Sequence, residues 1–329
     1  MAKKPKIGMY WASSCGGCEI ALVNLHERIL DIDANFDFAF CPCLLDTKKK
    51  DIDAMPDGDI AITFFNGAIR NEENKEMAQL LRKKSGVLIA FGSCSSEGCI
   101  PALSNLHSME ETLKTVYLEN PTIDNPACII PRPETDMPEG KLHIPAFFDR
   151  VKTLRDVVDV DYSIPGCPPE PHQIWNVVDL VIQGGPLPPK GSVIGAGSSA
   201  VCDECERKKE DKKIKRFYRT YEIVPDSEKC LLEQGIVCMG IATRDGCGAL
   251  CPKVNMPCTG CYGTPEGVFD QGAKMVAALG SVLDLGNTKS LSEDEIERRI
   301  DKLIGSVPDY AGVFYKYSLA ASILKGRSR

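Results

Sequence analysis

The chain has 329 residues, enough for two domains, and its 43% hydrophobic and 26% charged residues are the proportions of a folded globular protein, so disorder is not the default. A net charge of −7 argues against nucleic acid as the main partner, because phosphate binding needs a basic face. Sixteen cysteines stand against four histidines (His26, His107, His143, His172), none of them beside a Cys-x-x-Cys pair, so any metal site is mostly or wholly sulfur-ligated.

In chain order, "KIGMYW" (6 to 11) reads as a buried strand. The run from Cys18 to Leu30 follows as a helix, with Ile20, Val23 and Leu30 among the apolar residues at helical spacing. Strand-like runs recur at 36 to 45, 59 to 65, 86 to 92 and 159 to 166. Helical patterns fill 71 to 84, 108 to 118, and His172 to Ile182. Strands that alternate with helices and are apolar enough to be covered on both faces predict an α/β domain built on a doubly wound parallel sheet. Right-handed crossovers place every strand's carboxyl end on one edge, where ligands of such sheets gather. Cys15 follows the first strand, Asn66-Gly67 the third, Cys94 the fourth and Cys167 the last. Cys15, Cys18, Cys94 and Cys167 can therefore meet one object.

The character changes from residue 187, where proline and glycine thicken and strand alternation stops; a boundary at 184 to 195 divides the chain into 1–188 and 189–329. Eight cysteines then fall within sixty residues: Cys202, Cys205, Cys230, Cys238, Cys247, Cys251, Cys258 and Cys261. A segment with so little continuous apolar periodicity is commonly stapled by metal. Chain order suggests Cys202, Cys205, Cys230 and Cys238 for one centre and Cys247, Cys251, Cys258 and Cys261 for another, with exchange of a ligand between sets left open. Zinc would suit two such pairs, but the surrounding glycine, proline and apolar residues suit a cubane larger than one ion. The basic run 206 to 216 reads as a solvated loop. After Gly263 the pattern is helical, with a capping box at Ser292 and Glu295. The apolar stretch 310 to 326, interrupted by Lys316, reads as a packed terminal helix, and no run reaches the roughly 18 apolar residues of a membrane span. With no secretory h-region or twin-arginine pair after the first lysines, a cytoplasmic location without direct membrane insertion is expected.

The order C-G-G-C-E after a first strand, G-S-C at the end of a middle strand, P-G-C-P-P before a helix, and the cysteine-rich second half resemble the small, electron-transferring (gamma) subunit of a cytoplasmic [NiFe]-hydrogenase from residue 6 to about 265. The resemblance implies a flavodoxin-like domain with a proximal [4Fe-4S] cluster on Cys15, Cys18, Cys94 and Cys167. It implies a medial cluster on Cys247, Cys251, Cys258 and Cys261 and a distal one on Cys202, Cys205, Cys230 and Cys238, in a loop-rich domain that ends in helices. Many periplasmic relatives have histidine where this chain has Cys202 and proline where it has Cys251, so three [4Fe-4S] clusters with all-cysteine ligation are expected. The phrasing is most like the methyl-viologen-reducing type that feeds heterodisulfide reductase, with the gamma subunit of a deazaflavin-coenzyme-reducing hydrogenase as the near alternative. The nickel site would then lie in a large-subunit partner, and the electrons would leave to a subunit carrying [2Fe-2S] iron or flavin.

The rival readings are a cluster subunit of quinone reductases, whose adjacent cysteines this chain replaces with "CGGC", and a zinc-stabilised binding module. A thioredoxin-like dithiol would explain Cys15 and Cys18 by themselves but not their spacing to Cys94 and Cys167. Cys41, Cys43, Cys99 and Cys128 read as small buried hydrophobes, although Cys99, five residues from Cys94, could serve as a substitute ligand. Glu19 is a first-turn carboxylate or, by resemblance, a proton-path residue near the large subunit. His172 reads as a helix-start residue, and Tyr10 and Trp11 as packing around the first site.

Overall fold

A computed structural model describes residues 4–211, 213–307 and 309–326. Five strands, β1 (Lys6–Trp11), β2 (Asp37–Phe40), β3 (Ile60–Asn66), β4 (Ser85–Phe91) and β5 (Tyr162–Ile164), pair in parallel in the order β2-β1-β3-β4-β5. That is the flavodoxin-like doubly wound order, whose switch point lies between β1 and β3. The reason is visible in β3, where successive side chains point to opposite faces and both faces are covered. Phe64 packs with Phe91, Ile174 and Val178 on one side, while Phe65 packs with Leu88, Met77 and Leu81 on the other. The Phe64 and Phe91 rings meet edge to face with centroids 5.3 Å apart. Each fully buried side chain of this kind contributes about 1.5–3 kcal/mol, so a strand such as "IAITFFN" is held from both sides.

Three expectations need correction. The predicted helix from Cys18 to Leu30 is two short helices, Gly17–Val23 and Arg28–Asn35, broken by a turn in which His26 takes φ 55°. The first helix turns Cys18 and Ala21 to the core and Ile20 and Val23 outward, at 62% and 55% exposed, and after the break the second buries Ile32 and leaves Leu30 71% exposed. The run 36 to 45 stays extended only as far as Phe40, after which the Cys41 carbonyl accepts hydrogen bonds from Leu44 and Leu45 and turns the chain. Helix Met109–Lys114 ends in a wider π turn, Thr115–Glu119, and two small antiparallel ribbons that the pattern did not announce join Ile69–Asn71 to Phe147–Lys152 and Glu134–Met137 to Gly140–His143.

The chain divides into two units, one running up to Gly195 and taking in the residues from Leu319 onward, the other Ala196–Ser318. The second unit has short helices and loops around Val201, Phe217, Met239, Met275, Leu279 and Phe314. Cys258 belongs to that core, and Cys205, Cys238 and Cys247 pack against it. Helix Glu293–Ile304 begins at the predicted cap: Glu295 N–H donates to Ser292 Oγ, and Ser292 N–H donates to the Glu295 carboxylate at 2.9 Å. The expected terminal helix is only Tyr310–Phe314, because Tyr315 leaves the helical region and the chain continues in turns. Leu319 and Ala320 are buried in the first unit, where a Cβ on Gly98 would come within 2.5 Å of the Ala320 methyl. Among the described residues, no helix is long and apolar enough to cross a membrane.

Candidate metal centres

At the carboxyl edge of the sheet the loops are tied in two pairs through their backbones. After β1, Ala12 N–H donates to the Asn66 carbonyl at 2.8 Å and Ser13 exchanges hydrogen bonds with Ala68 at 3.2 and 3.0 Å. Gly67 permits this approach, since a Cβ there would lie 2.7 Å from the Ala12 carbonyl carbon. After β4, Gly92 N–H donates to the Ile164 carbonyl and Ser93 N–H to the Gly166 carbonyl at 2.8 and 2.7 Å, which fixes the Cys94 loop against the Cys167 loop. Gly92 adopts φ 79°, and a Cβ on it would stand 2.4 Å from Cys18 Sγ. The glycine leaves the space that the sulfur fills.

The four expected thiols therefore converge. Burial pushes Cys18 up, and the nearby charges of Glu19, Cys94, Cys167 and Cys15 push it further in the same direction. Cys18 and Cys94 are buried, Cys167 is half-buried and Cys15 is exposed. Cys99, 1% exposed, joins them: its thiol donates to Cys167 Sγ at 3.7 Å, and that hydrogen bond holds Cys167 at about 7 against the opposing effect of burial. Glu19 accepts from Asn66 Nδ2 on both carboxylate oxygens at 2.8 Å, and the same buried amide donates to Ser14 Oγ at 2.9 Å. Tyr10 is buried and Trp11 is 43% exposed. His172 is the second residue of helix Pro171–Ile182. Cys41 is buried and Cys43 exposed just beyond β2, and Cys128 lies exposed in a loop; the last two are not the buried hydrophobes expected.

In the second unit Cys202, Cys205, Cys230 and Cys238 line a single cavity together with Val201, Leu231 and Gly240. Burial pushes Cys202 up to about 12; Lys209 pulls the other way, and Cys238, Cys230 and Cys205 add to the rise. Cys238 accepts from Cys258 N–H at 3.3 Å, and Gly240 N–H also lowers its proton affinity against burial. The pair Cys247 and Cys251 sits in a loop gripped by Glu204, whose two carboxylate oxygens accept from Gly246 N–H at 2.7 Å and Gly248 N–H at 3.0 Å. Cys247 receives N–H groups of Ala249 and Leu250. Cys258 is raised by burial and by Cys238 and Cys261, while the Thr243 hydroxyl and Gly260 N–H act against them. Glu204, lodged between Cys202 and Cys205, escaped the reading of the sequence because its partners are backbone groups more than forty residues away.

A structural zinc ion needs four donors about 2.3 Å from one point. Among the described residues, no three His, Cys, Asp or Glu are grouped to hold one metal ion. The donor sets are thiol-only, walled by apolar side chains and supplied with N–H groups aimed at sulfur, which are the surroundings of an iron–sulfur cluster.

The family described as "NADH ubiquinone oxidoreductase, 20 Kd subunit" matches residues 15–181, the stretch that carries Cys15, Cys18, Cys94 and Cys167. Over the whole length, an F420-non-reducing hydrogenase iron-sulfur subunit of Archaeoglobus profundus is 39% identical across 325 residues, covering 97% of each chain. This chain belongs to the family of that F420-non-reducing hydrogenase subunit. The corresponding F420-non-reducing hydrogenase subunit of Methanothermobacter marburgensis is 35% identical over 327 residues, 98% of this chain and 97% of its own. A solved NAD+-reducing [NiFe]-hydrogenase chain aligns with 56% of this one and 96% of its own length, at 26% identity and a TM-score of 0.48. As a member of this family, the chain is an electron-transfer small subunit of a hydrogenase, with the catalytic site in a partner. The matches at full length include the cysteine-rich second unit, which the quinone-reductase description does not reach. Their names carry "F420-non-reducing", in line with the methyl-viologen-reducing type rather than the deazaflavin-coenzyme-reducing one. Sixteen cysteines and this membership are consistent with iron–sulfur clusters.

Proposed function

We propose that this subunit carries three [4Fe-4S] clusters: a proximal one on Cys15, Cys18, Cys94 and Cys167, a medial one on Cys247, Cys251, Cys258 and Cys261, and a distal one on Cys202, Cys205, Cys230 and Cys238. The observation that carries this reading is the meeting of four thiols from three separate loops at the sheet edge, with Gly92 clearing room for the Cys18 sulfur. When bound, the clusters supply one-electron uptake and release. The chain's own residues do the rest. The Gly16–Gly17 turn and Gly92 hold the first thiols together, Val201, Leu231 and Pro252 wall the cavity of Cys202, Cys205, Cys230 and Cys238, and the N–H groups of Cys258, Gly240, Ala249 and Leu250 offset sulfur charge. Cys258 N–H on Cys238 Sγ joins the two centres of the second unit through a single hydrogen bond. Electrons from dihydrogen oxidation in a Ni–Fe large subunit would enter at the proximal centre and leave from the distal one to a [2Fe-2S] or flavin subunit of the heterodisulfide reductase kind. Exposed Ile20, Val23 and Trp11 beside Cys15 and Cys18 provide apolar surface for that large subunit. Glu19, which accepts from Asn66 and lies near Cys18, is the residue of a proton path in this reading. We assign the complex to the cytoplasm.

Iron and acid-labile sulfide analysis of the anaerobically purified native complex tests the reading. About twelve irons per chain with matching sulfide supports it, and zinc without sulfide overturns it. Co-purification tests the acceptor: a nickel-bearing large subunit arriving without a heterodisulfide reductase would refute that partner while leaving the hydrogenase membership intact.

A further inference from the structure

Arg207 lies two residues beyond Cys205 and is 9% exposed. All five of its N–H donors are used. Nε donates to the Pro252 carbonyl at 3.0 Å; one terminal nitrogen donates to the carbonyls of Asp226 and Lys229 at 2.9 and 3.0 Å; the other donates to Pro252 again at 2.8 Å and to Asn255 Oδ1 at 2.7 Å. Every acceptor is neutral. A guanidinium stays charged at any working pH, so the unit keeps a hydrogen-bonded but electrically uncompensated cation in its interior. Such a cation is costly unless an anion lies close.

Among the described residues no carboxylate pairs with Arg207 within 4.0 Å, and the Asp226 carboxylate, on the residue whose carbonyl Arg207 holds, accepts instead from Glu228 N–H at 2.9 Å. Arg207 lines the cavity ringed by Cys202, Cys205, Cys230 and Cys238, and the remaining lining residues are Val201, Lys209, Leu231, Gly240 and Pro252, with no acid among them. The hollow on its other side contains Glu206 and Glu228, and these face Lys253 at 3.9 Å and Lys208 at 3.3 Å. Two bases there already answer two acids. Two of the three carbonyls that Arg207 holds belong to residues directly beside the assigned ligand positions: Pro252 follows Cys251 and Lys229 precedes Cys230.

We propose that Arg207 is the built-in counter-charge of the distal centre, a positioning residue that pins the Cys230 and Cys251 loops and raises the reduction potential of the cluster bound by Cys202, Cys205, Cys230 and Cys238. The proposal rests on the ligand assignment above. Its physics is simple: one-electron reduction adds negative charge, and a fixed cation in a dry site favours the more negative state.

The test is an EPR-monitored redox titration of the whole hydrogenase complex carrying Arg207→Gln, Arg207→Lys or Asn255→Asp, with the distal signal identified by its loss in Cys230→Ala. Arg207→Gln is expected to shift the distal reduction equilibrium at least tenfold toward the oxidised form, which is about 59 mV for one electron. Asn255→Asp keeps the arginine but sets a carboxylate against it at the 2.7 Å contact, and should move the potential the same way without removing a hydrogen bond to the arginine. Arg207→Lys retains the charge and should stay closer to wild type, and the proximal signal should not move in any variant. If Arg207→Gln fails to assemble, Asn255→Asp decides. An unmoved distal potential in Asn255→Asp, or a drop in Arg207→Lys equal to that in Arg207→Gln, overturns the proposal. Absence of iron and sulfide from the wild-type second unit would instead sink the ligand assignment, a different result.

Discussion

The two units hold sulfur by opposite means. In the first, a five-stranded sheet has both faces filled, and of the four expected thiols only Cys18 belongs to the packed layer of Phe64 and Ile174, while Cys15, Cys94 and Cys167 sit in loops at the sheet's edge. In the second, Cys258 is itself core, Cys205, Cys238 and Cys247 lean on it, and among the described residues no run of strands surrounds them. On the proposed ligand assignment, a thiol site is a passenger on one scaffold and a staple in the other. The difference follows from how much apolar area each stretch can bury before metal arrives.

Stripping iron from the anaerobic complex should break the comparison open most widely. Proteolytic cleavage within 196–318 is expected to accelerate at least tenfold while the sheet unit resists, as followed by mass spectrometry of the fragments; equal sensitivity of both units would refute the contrast. Next in size is Asp161→Asn. Asp161, with its side chain 6% exposed, accepts from Arg82 at 2.6 Å, Lys190 at 2.5 Å and Leu88 N–H at 2.8 Å. The substitution should cost the first unit about 3 kcal/mol in denaturant unfolding. Burial alone would raise this carboxyl, but Lys190, the Leu88 N–H and Arg82 outweigh it and hold it below the ordinary range. Its stabilisation is therefore present above the unfolded value near pH 3.9 and is lost as pH falls through the depressed folded value. The wild-type unit should lose that increment in acid, and the Asn variant should not.

Gly92→Ala sharpens the contrast from the other side. The left-handed φ and the clash with Cys18 Sγ should cost about 2 kcal/mol and remove about four of twelve irons, leaving the EPR signals of the second unit intact. Loss of all clusters together would show that the units are not separately stapled. Ser292→Ala is the smallest change: the lost cap on Glu293–Ile304 should cost about 1 kcal/mol with iron content unchanged.

Much of this was legible along the chain, because local patterns have local causes. The apolar runs of β1, β3 and β4, helix Pro171–Ile182 and the cap at Ser292 all lie where periodicity and capping chemistry predict them. The failures have physical reasons as well. Spacing at Ile20, Val23 and Leu30 suggested one buried stripe, but the first helix buries Cys18 and Ala21 instead, and the turn at His26 starts a second helix whose phase leaves Leu30 outward. The apolar tail from Tyr310 read as one helix, yet the helix ends at Phe314 and Leu319 and Ala320 are buried in the first unit.

By itself, the sequence determined the donor chemistry and the class of fold: sixteen cysteines with almost no histidine beside them, and strands apolar enough for a covered parallel sheet. Tertiary structure decided which groups answer one another. Cys99 against Cys167, Glu204 on the amides of Gly246 and Gly248, and Arg207 surrounded only by neutral acceptors are relations across 42 to 68 residues or among several loops at once. Such relations depend on where the backbone returns, and no periodicity encodes a return. An uncompensated charge is visible only once all of its neighbours are in place.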